Sequence, residues 1–449
     1  MATRQFDVVV IGGGNAGMGV TVPTRKAGLS VAVLEPGTFG GTCSNRGCTP
    51  KKVLVAAAHV LEEIAHAGAH HIKVGRPKLD WAAMIQRKAD IIRPLPERLA
   101  GGLRDRGAEI VRVAGRFVGE RAIAAGDDIF EARHVVVATG SKPRPLALPG
   151  AELMITSDEV LSEERQPRSV VFVGGGVIAF EFAHVYVRAG TKVTILQDGP
   201  QFLGKFDQDM VAEIVAASRR IGIDARADVR VKKIEATGER FRVTFVDAGK
   251  ERAISADRVI HGAGRIADLD DLALGSGRVI AERGRILTDR HLRSTSNAAV
   301  FACGDALAGK QQLSPLATYE GQLVGRNILG ADEVPDYDSI PSCLFTVPSL
   351  SMVGYTADAA QAAGLNVRVE LNDMREWLSG KTWAETSALA KVVVDRDSDL
   401  IRGAHIVGHG GEELIHLFAL AMRHKITTAA LKEAVYAFPT FTADMRYAM

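Results

Sequence analysis

Two cysteines five residues apart, Cys43 and Cys48, lie in the run GGTCSNRGCTPKK (residues 40–52), which closes on a proline and two lysines. Such a pair can be a metal clip, a structural bridge or a redox couple. In a regular helix, residues i and i+5 are separated by roughly 7.5 Å along the axis, beyond the usual span of a disulfide. A bond between them therefore requires the helix to break, and Gly47 supplies the backbone freedom. Thr49 and Pro50 read as an N-cap and a first helical residue, so Cys48 is expected at a helix N-terminus, where backbone N–H groups favour thiolate. Lys51 and Lys52 follow where the helix dipole disfavours positive charge, a broken local rule that points to function. No metal site is expected at the pair.

The elements that must position these thiols are written twice in the chain. Val8 to Ile11 is a continuous apolar run, followed by Gly12, Gly13, Gly14, Asn15, Ala16 and Gly17, a small-residue helix, Gly28 as a stop, a strand from Val31 to Leu34, and Glu35. This is a βαβ dinucleotide fingerprint: Gly12 turns the chain, Gly14 admits a pyrophosphate, Gly17 lets helix and strand pack, and Glu35 can take ribose hydroxyls. In the second copy Gly174, Gly176 and Ala179 repeat the spacing of the three glycines, and Gln197 lies where Glu35 lies in the first. Two dinucleotides are expected, most simply a nicotinamide that donates a hydride and a flavin that accepts it.

With the cysteine pair falling just after Glu35, the chain resembles the flavoprotein disulfide reductases: glutathione reductase, dihydrolipoamide dehydrogenase and mercuric reductase. Their signature G-G-T-C-x-N-x-G-C-x-P matches Gly40 to Pro50 without a gap, and the likeness runs nearly end to end. "ATG" at 138–140, "GAGR" at 262–265, "VFACGDA" at 300–306 and "LSPLA" at 313–317 are similar to the family's flavin and return segments. "PSCLFTVPSLSMVGYT" and "IRGAHIVGHGGEELIHLFALAM" are similar to its interface domain. The resemblance implies an α/β protein with two Rossmann-like domains, for FAD and NAD(P), and a C-terminal mixed α/β dimerisation domain. The implied bounds are 1–147 and 266–333 for the two FAD-binding segments, 148–265 for the NAD(P)-binding domain and 334–449 for the interface domain, which is expected to form a homodimer and to end in a non-helical tail.

The same resemblance assigns roles. Cys43 is the exchange thiol that meets a disulfide substrate, Cys48 the thiol beside the flavin that forms a charge-transfer thiolate on reduction, and Lys51 the partner of Glu181 near the site of hydride arrival. FAD contacts are implied for Gly12, Gly14, Asn15, Ala16, Gly17, Glu35, Thr42, Lys51, Gly115, Thr139, Gly140, Asp305 and Ser314. Nicotinamide-domain contacts are implied for Gly174, Gly176, Ile178, Gln197, Asp198 and Gly264.

Two departures matter. The family's tail H-P-T-x-S-E supplies a His held by a Glu as acid and base, whereas this chain has Phe438-Pro439-Thr440-Phe441-Thr442-Ala443-Asp444. Losing a positioned acid/base costs typically about 10²- to 10⁴-fold, so an ordinary small-disulfide reductase is disfavoured. His416 and His424, on a nearby amphipathic helix, are read as surface or packing residues. In the second nucleotide fold Gln197 replaces the acid that selects NADH, no arginine follows at once to clasp a 2′-phosphate, and Asp198 would repel one. Lys205 would attract one, and Ala179 in place of the third glycine leans toward NADPH by resemblance, leaving NADH or NADPH with a slight lean to NADH.

Composition bounds the rest. The chain has 449 residues, 47% of them hydrophobic, and a net charge of +2, which gives no reason to expect nucleic acid or an anionic membrane. No run is apolar enough to span a bilayer and no signal peptide opens the sequence, so a soluble cytoplasmic protein is expected. Cys303 and Cys343 read as packing residues, and Trp377 and Trp383 flank a short polar turn. Besides a disulfide reductase, the residues admit an NAD(P)H:acceptor reductase passing electrons to a quinone, a metal ion or oxygen, and a non-enzymatic flavoprotein subunit in a larger complex. Retention of both cysteines, Lys51 and Glu181 favours the first.

Overall fold

A computed structural model describes residues 2–309 and 311–449. The backbone divides into two compact units, one of residues 1–53, 85–145 and 264–335, the other of residues 54–84, 146–263 and 336–449.

In the first unit, β1 (Thr3–Ile11), α1 (Asn15–Lys26) and β2 (Val31–Leu34) form the expected βαβ unit. A seven-stranded sheet is built around them. β1 lies between β2 and the long strand Asp128–Val137, with Val8 paired to Val31 and to His134, and strand Val300–Ala302 joins the far edge of Asp128–Val137. Val8, Val9 and Val10 are all fully buried, as a parallel strand covered on both faces requires. The chain continues through α2 (Gly41–Arg46) and α3 (Cys48–His66), the helices that carry the two cysteines.

The second unit holds a four-stranded parallel sheet in the order Asp224–Arg226, Lys192–Leu196, Ser169–Val173, Arg258–His261, with helix Val177–Arg188 crossing between two of its strands. It also holds a three-stranded antiparallel meander over residues 230–256 and a five-stranded antiparallel sheet formed between Ser342 and Gly408. Helix Gly411–Arg423 packs its Leu414, Ile415 and Phe418 into the core with Val392 and Ala404 of that sheet. The tail differs from the expected non-helical end. Thr440 Oγ1 accepts the Ala443 N–H at 3.0 Å and starts a helical turn, Phe441–Asp444, followed by a 3₁₀ turn to Ala448. The segment between Trp377 and Trp383 is likewise a short helix, Leu378–Thr382, not a turn. No helix among the described residues is long and apolar enough to cross a membrane.

Candidate active site

Gly47, at φ −142° and ψ −115°, separates α2 from α3. A Cβ there would come within 2.8 Å of the Thr42 carbonyl oxygen, so the break is reserved for glycine. Cys48 itself opens α3, one residue before the expected Thr49 cap, because Gly47 already supplies the carbonyl that accepts the Lys51 N–H at 3.1 Å.

The two cysteines are free thiols, Cys43 half-buried and Cys48 exposed. Their acidities are split in opposite directions. The Cys43 S–H donates to Cys48, which raises Cys43 far above the ordinary thiol range, with burial adding to the shift. The same hydrogen bond brings Cys48 down to about 5, assisted by the charges of Lys51 and Lys52 and a hydrogen bond from Ser314, against the opposing effect of burial. Ser314 Oγ lies 3.9 Å from Cys48 Sγ and accepts from Asn15 Nδ2 at 3.1 Å, linking the thiolate to the first turn of α1.

The nucleotide cradle of the first unit is built from close backbone approaches. Gly12 has φ +116°, and a Cβ on it would stand 2.2 Å from the Ala138 oxygen; one on Gly17 would stand 1.9 Å from the Gly12 oxygen. Gly14 is the N-cap of α1 with no side-chain hydrogen bond at the cap, and only a Gly41 Cα lies near its missing Cβ, at 3.8 Å. The N-terminus of α1 is thus a helix start without a side-chain cap, the kind of terminus that binds a pyrophosphate. Glu35 spans the loop, its carboxylate accepting from Gly13 N and Gly37 N, both at 2.8 Å. At the other end of the cradle Ser141 Oγ donates to Asp305 Oδ2 at 2.8 Å, and Thr139 Oγ1 donates to the Asp268 oxygen at 2.7 Å. Gly140 accepts the Asp268 N–H at 3.0 Å. Ala16 is buried and touches the space above Gly304, whose N–H is held by Glu320 at 2.7 Å. Gly115 packs so closely that a Cβ would meet Leu34 Cδ1 at 2.6 Å, and Gly264 has φ +97° with its oxygen accepting the Arg144 N–H at 3.0 Å. Ser141 and Glu320 are members of this network that the motifs did not mark, although Ser141 directly follows the ATG run and Glu320 lies three residues after LSPLA.

The second unit repeats the first loop closely. Gly174 is at φ +102° against Gly262, Gly176 caps helix Val177–Arg188, and Gln197 Oε1 accepts the Gly175 N–H at 2.7 Å. Ile178 is half-exposed beside this cap and Asp198 is exposed. On the same helix Glu181 is buried, and its Oε1 accepts the Phe345 N–H at 2.7 Å. One turn on, the fully buried His184 fixes the helix further. Ser218 Oγ donates to the Ile214 oxygen at 2.7 Å and so accepts from His184 Nε2 at 2.9 Å. That leaves Nδ1 to accept from Arg188 at 3.0 Å and from Val347 N at 3.2 Å. This is the neutral imidazole, and burial together with Arg188 holds it well below the usual histidine range.

The tail has no proton-carrying residue at 438: Phe438 is 65% exposed. Asp444 is buried and its Oδ2 accepts the Ser379 N–H at 3.1 Å, capping the helix Leu378–Thr382, so this acid is spent on structure. His416 and His424 are exposed on or after the helix Gly411–Arg423. A different histidine lies against the tail. His409 stacks between Trp383 (centroids 4.9 Å apart) and Phe441 (5.2 Å), with Nδ1 3.5 Å from Glu385 Oε1. Burial pushes the Glu385 carboxyl up to about 7; His66 opposes the shift, while Glu63 and Glu62 add to it. No local spacing in the sequence joins 385, 409 and 441. Cys303 is fully buried and Cys343 half-buried in strand Ser342–Leu344.

Two dinucleotide folds and a cysteine pair in which the Cys48 thiol is drawn toward thiolate define a nucleotide-dependent thiol–disulfide oxidoreductase. The chain belongs to the pyridine nucleotide-disulphide oxidoreductases: that family's model matches residues 6–321 and its dimerisation domain residues 340–449. Members are FAD-containing, NAD(P)H-dependent enzymes, and this chain is an enzyme of that kind. It is 31% identical over 447 residues to a dihydrolipoyl dehydrogenase of Chlamydia muridarum, covering 97% of this chain and 94% of that one. It is 27% identical to a mercuric reductase of Bacillus cereus, over 99% of this chain and 71% of the other. Its fold matches a Cu(II) complex of a mutant of the HOCl-induced flavoprotein disulfide reductase RclA from Escherichia coli, with a TM-score of 0.88, 23% identity and 99% of each chain covered.

Proposed function

We propose that the enzyme draws electrons from NADH in preference to NADPH and delivers them through Cys48 and Cys43 to a disulfide whose leaving thiol is acidic, working as a cytoplasmic homodimer. The observation that carries this reading is the hydrogen bond from the Cys43 S–H to a Cys48 sulfur whose pKa is brought to about 5. The α1 N-terminus, Glu35 and Asp305 would hold FAD, which would supply the ability to take a hydride from NAD(P)H and pass the electron pair to the cysteine disulfide. Lys51 and Glu181 are assigned to that reductive step.

The chain's own groups then account for the exchange. As Cys43 Sγ attacks one sulfur of the substrate R–S–S–R, its proton passes along the hydrogen bond to the Cys48 sulfur; the Cys43–S–R mixed disulfide forms, the substrate S–S bond breaks, and the first RS⁻ takes that proton and leaves as R–SH, which restores the Cys48 thiolate. The Cys48 thiolate next attacks Cys43 Sγ, closing the Cys43–Cys48 disulfide and expelling RS⁻. Two thiols are released if that anion gains one proton from water, and none is needed when RS⁻ is stable at the working pH. The exposed Phe438 at the family's histidine position favours this second route, because it offers no proton. The test is stopped-flow reduction by NADH followed by mixing with a series of aromatic and aliphatic disulfides. Rates that climb as the leaving-thiol pKa falls support the reading; equal rates for glutathione disulfide and an aromatic disulfide at pH 7 would sink it.

A further inference from the structure

In the first nucleotide fold the Glu35 N–H donates to Val111, and in the second the Gln197 N–H donates to the Arg226 oxygen, each at 2.9 Å. Arg226 therefore stands beside Gln197 at the C-terminal edge of adjacent parallel strands, where ligands of open α/β sheets bind. A guanidinium there is within a side chain's length of a ribose 2′ substituent read at position 197. Its fork, however, points elsewhere. Nε lies 3.0 and 3.1 Å from the two Asp224 carboxylate oxygens and Nη2 lies 2.8 Å from Asp224 Oδ2, while Nη1 reaches Asp247 Oδ2 at 3.2 Å. The guanidinium carbon sits 5.7 Å from the Phe245 ring centroid, so the side chain lies toward the antiparallel meander. Asp247 is also paired with Arg252 at 3.4 Å.

We propose that Asp224 and Asp247 set the nucleotide preference by holding Arg226 away from a 2′-phosphate, so that discrimination against NADPH comes from a sequestered arginine and not from an acid at position 197. This rests on the reading that the second fold binds the nicotinamide nucleotide. Gln197 is neutral and its Oε1 is already engaged with the Gly175 N–H, so it sets no charge for or against a phosphate. The bidentate match of guanidinium to carboxylate is the one it would make to a phosphate, and the two anions compete for the same donors.

The test compares the FAD-loaded wild type with Asp224→Asn/Asp247→Asn and with the same double variant carrying Arg226→Gln. Binding of 2′,5′-ADP and of 5′-AMP is measured by calorimetry, which needs no disulfide acceptor and is read even if the proposed substrate is wrong. The double variant should bind 2′,5′-ADP about tenfold tighter or more relative to 5′-AMP, and the triple variant should lose that gain. Asp224→Asn alone, which removes the bidentate partner, should give a smaller shift in the same direction and serves if the double variant folds poorly. The proposal fails if the wild type already prefers 2′,5′-ADP, if the double variant leaves the ratio unchanged, or if the gain survives Arg226→Gln. Binding of neither probe to the wild type would overturn the assignment of this fold to the nucleotide itself.

Discussion

Gln197 holds the Gly175 N–H at 2.7 Å as Glu35 holds the Gly13 N–H at 2.8 Å. Each acceptor lies 22 residues beyond its glycine, and each loop is backed by an aromatic ring, Phe39 in the first and Phe202 in the second, lying against Gly13 and Gly175. The duplicated fold thus keeps the lock and changes only the charge of the bolt. Replacing Gln197 by Glu retains the acceptor and adds a charge where a 2′-phosphate would come. The ratio of kcat/KM for NADH over NADPH should rise about tenfold, equivalent to about 1.4 kcal/mol, with little change for NADH alone. An unchanged ratio would mean that the side chain does not face the ribose.

Cys48 carries the thiolate in the dithiol form, so its titration reports its neighbours. Thiolate absorbance and iodoacetamide trapping of the reduced enzyme should show a single group titrating near 5. The hydrogen bond from Cys43 is the largest cause of the lowering, so Cys43→Ala should move that midpoint up. Lys51→Gln should move it up by less. A long-wavelength band of the half-reduced enzyme should vanish in Cys48→Ser and persist in Cys43→Ser. Loss in both, or in neither, would reverse or remove the assignment of roles.

Glu385 gives a pH dependence of known sign. Its carboxyl is raised to about 7 in the folded protein, chiefly by burial, so the folded state binds a proton that the unfolded chain releases in the ordinary carboxylate range. The stability it contributes is complete below that range and is lost as pH rises through 7. Urea midpoints should therefore fall between pH 5 and pH 8, and Glu385→Gln should flatten that part of the profile. A wild-type midpoint that rises over this interval would show that the opposing charge of His66 outweighs burial.

The tail offers a structural prediction and an engineering one. Asp444→Ala removes the acceptor for the Ser379 N–H and should cost about 1 to 2 kcal/mol, seen as a lowered Tm with the reductive half-reaction intact. Phe438→His introduces a proton carrier at an exposed position and should raise turnover of small aliphatic disulfides. Adding a Glu to orient that His at Ala443, where the H-P-T-x-S-E pattern has its Glu, is unsuitable, because Ala443 is buried and a carboxylate there would be desolvated without a partner. Should Phe438→His leave glutathione disulfide turnover where it was, protonation is not what limits that reaction.

Assembly is checked by light scattering. The chain carries the family's dimerisation domain over residues 340–449, and a homodimer is expected at micromolar concentration. An active monomer would show that each chain holds a complete site.

The βαβ folds, the cysteine pair and a helix start at Cys48 were legible in the sequence because each depends on residues within about 30 positions of one another, while FAD and NAD(P) came with the resemblance to the family. Gly12, Gly14, Gly17 and Glu35 act through local backbone geometry, and that geometry leaves a fixed spacing. The folded chain alone decided what lay across long sequence separations. Asp444, an acid near the expected position of an orienting Glu, turned out to cap a helix 65 residues earlier. His409 and Glu385 met through stacking on Phe441, and Arg226 was drawn to Asp224 and Asp247. Side-chain partners of this kind are chosen by packing and by charge neutralisation in three dimensions, and neither writes a period into the sequence.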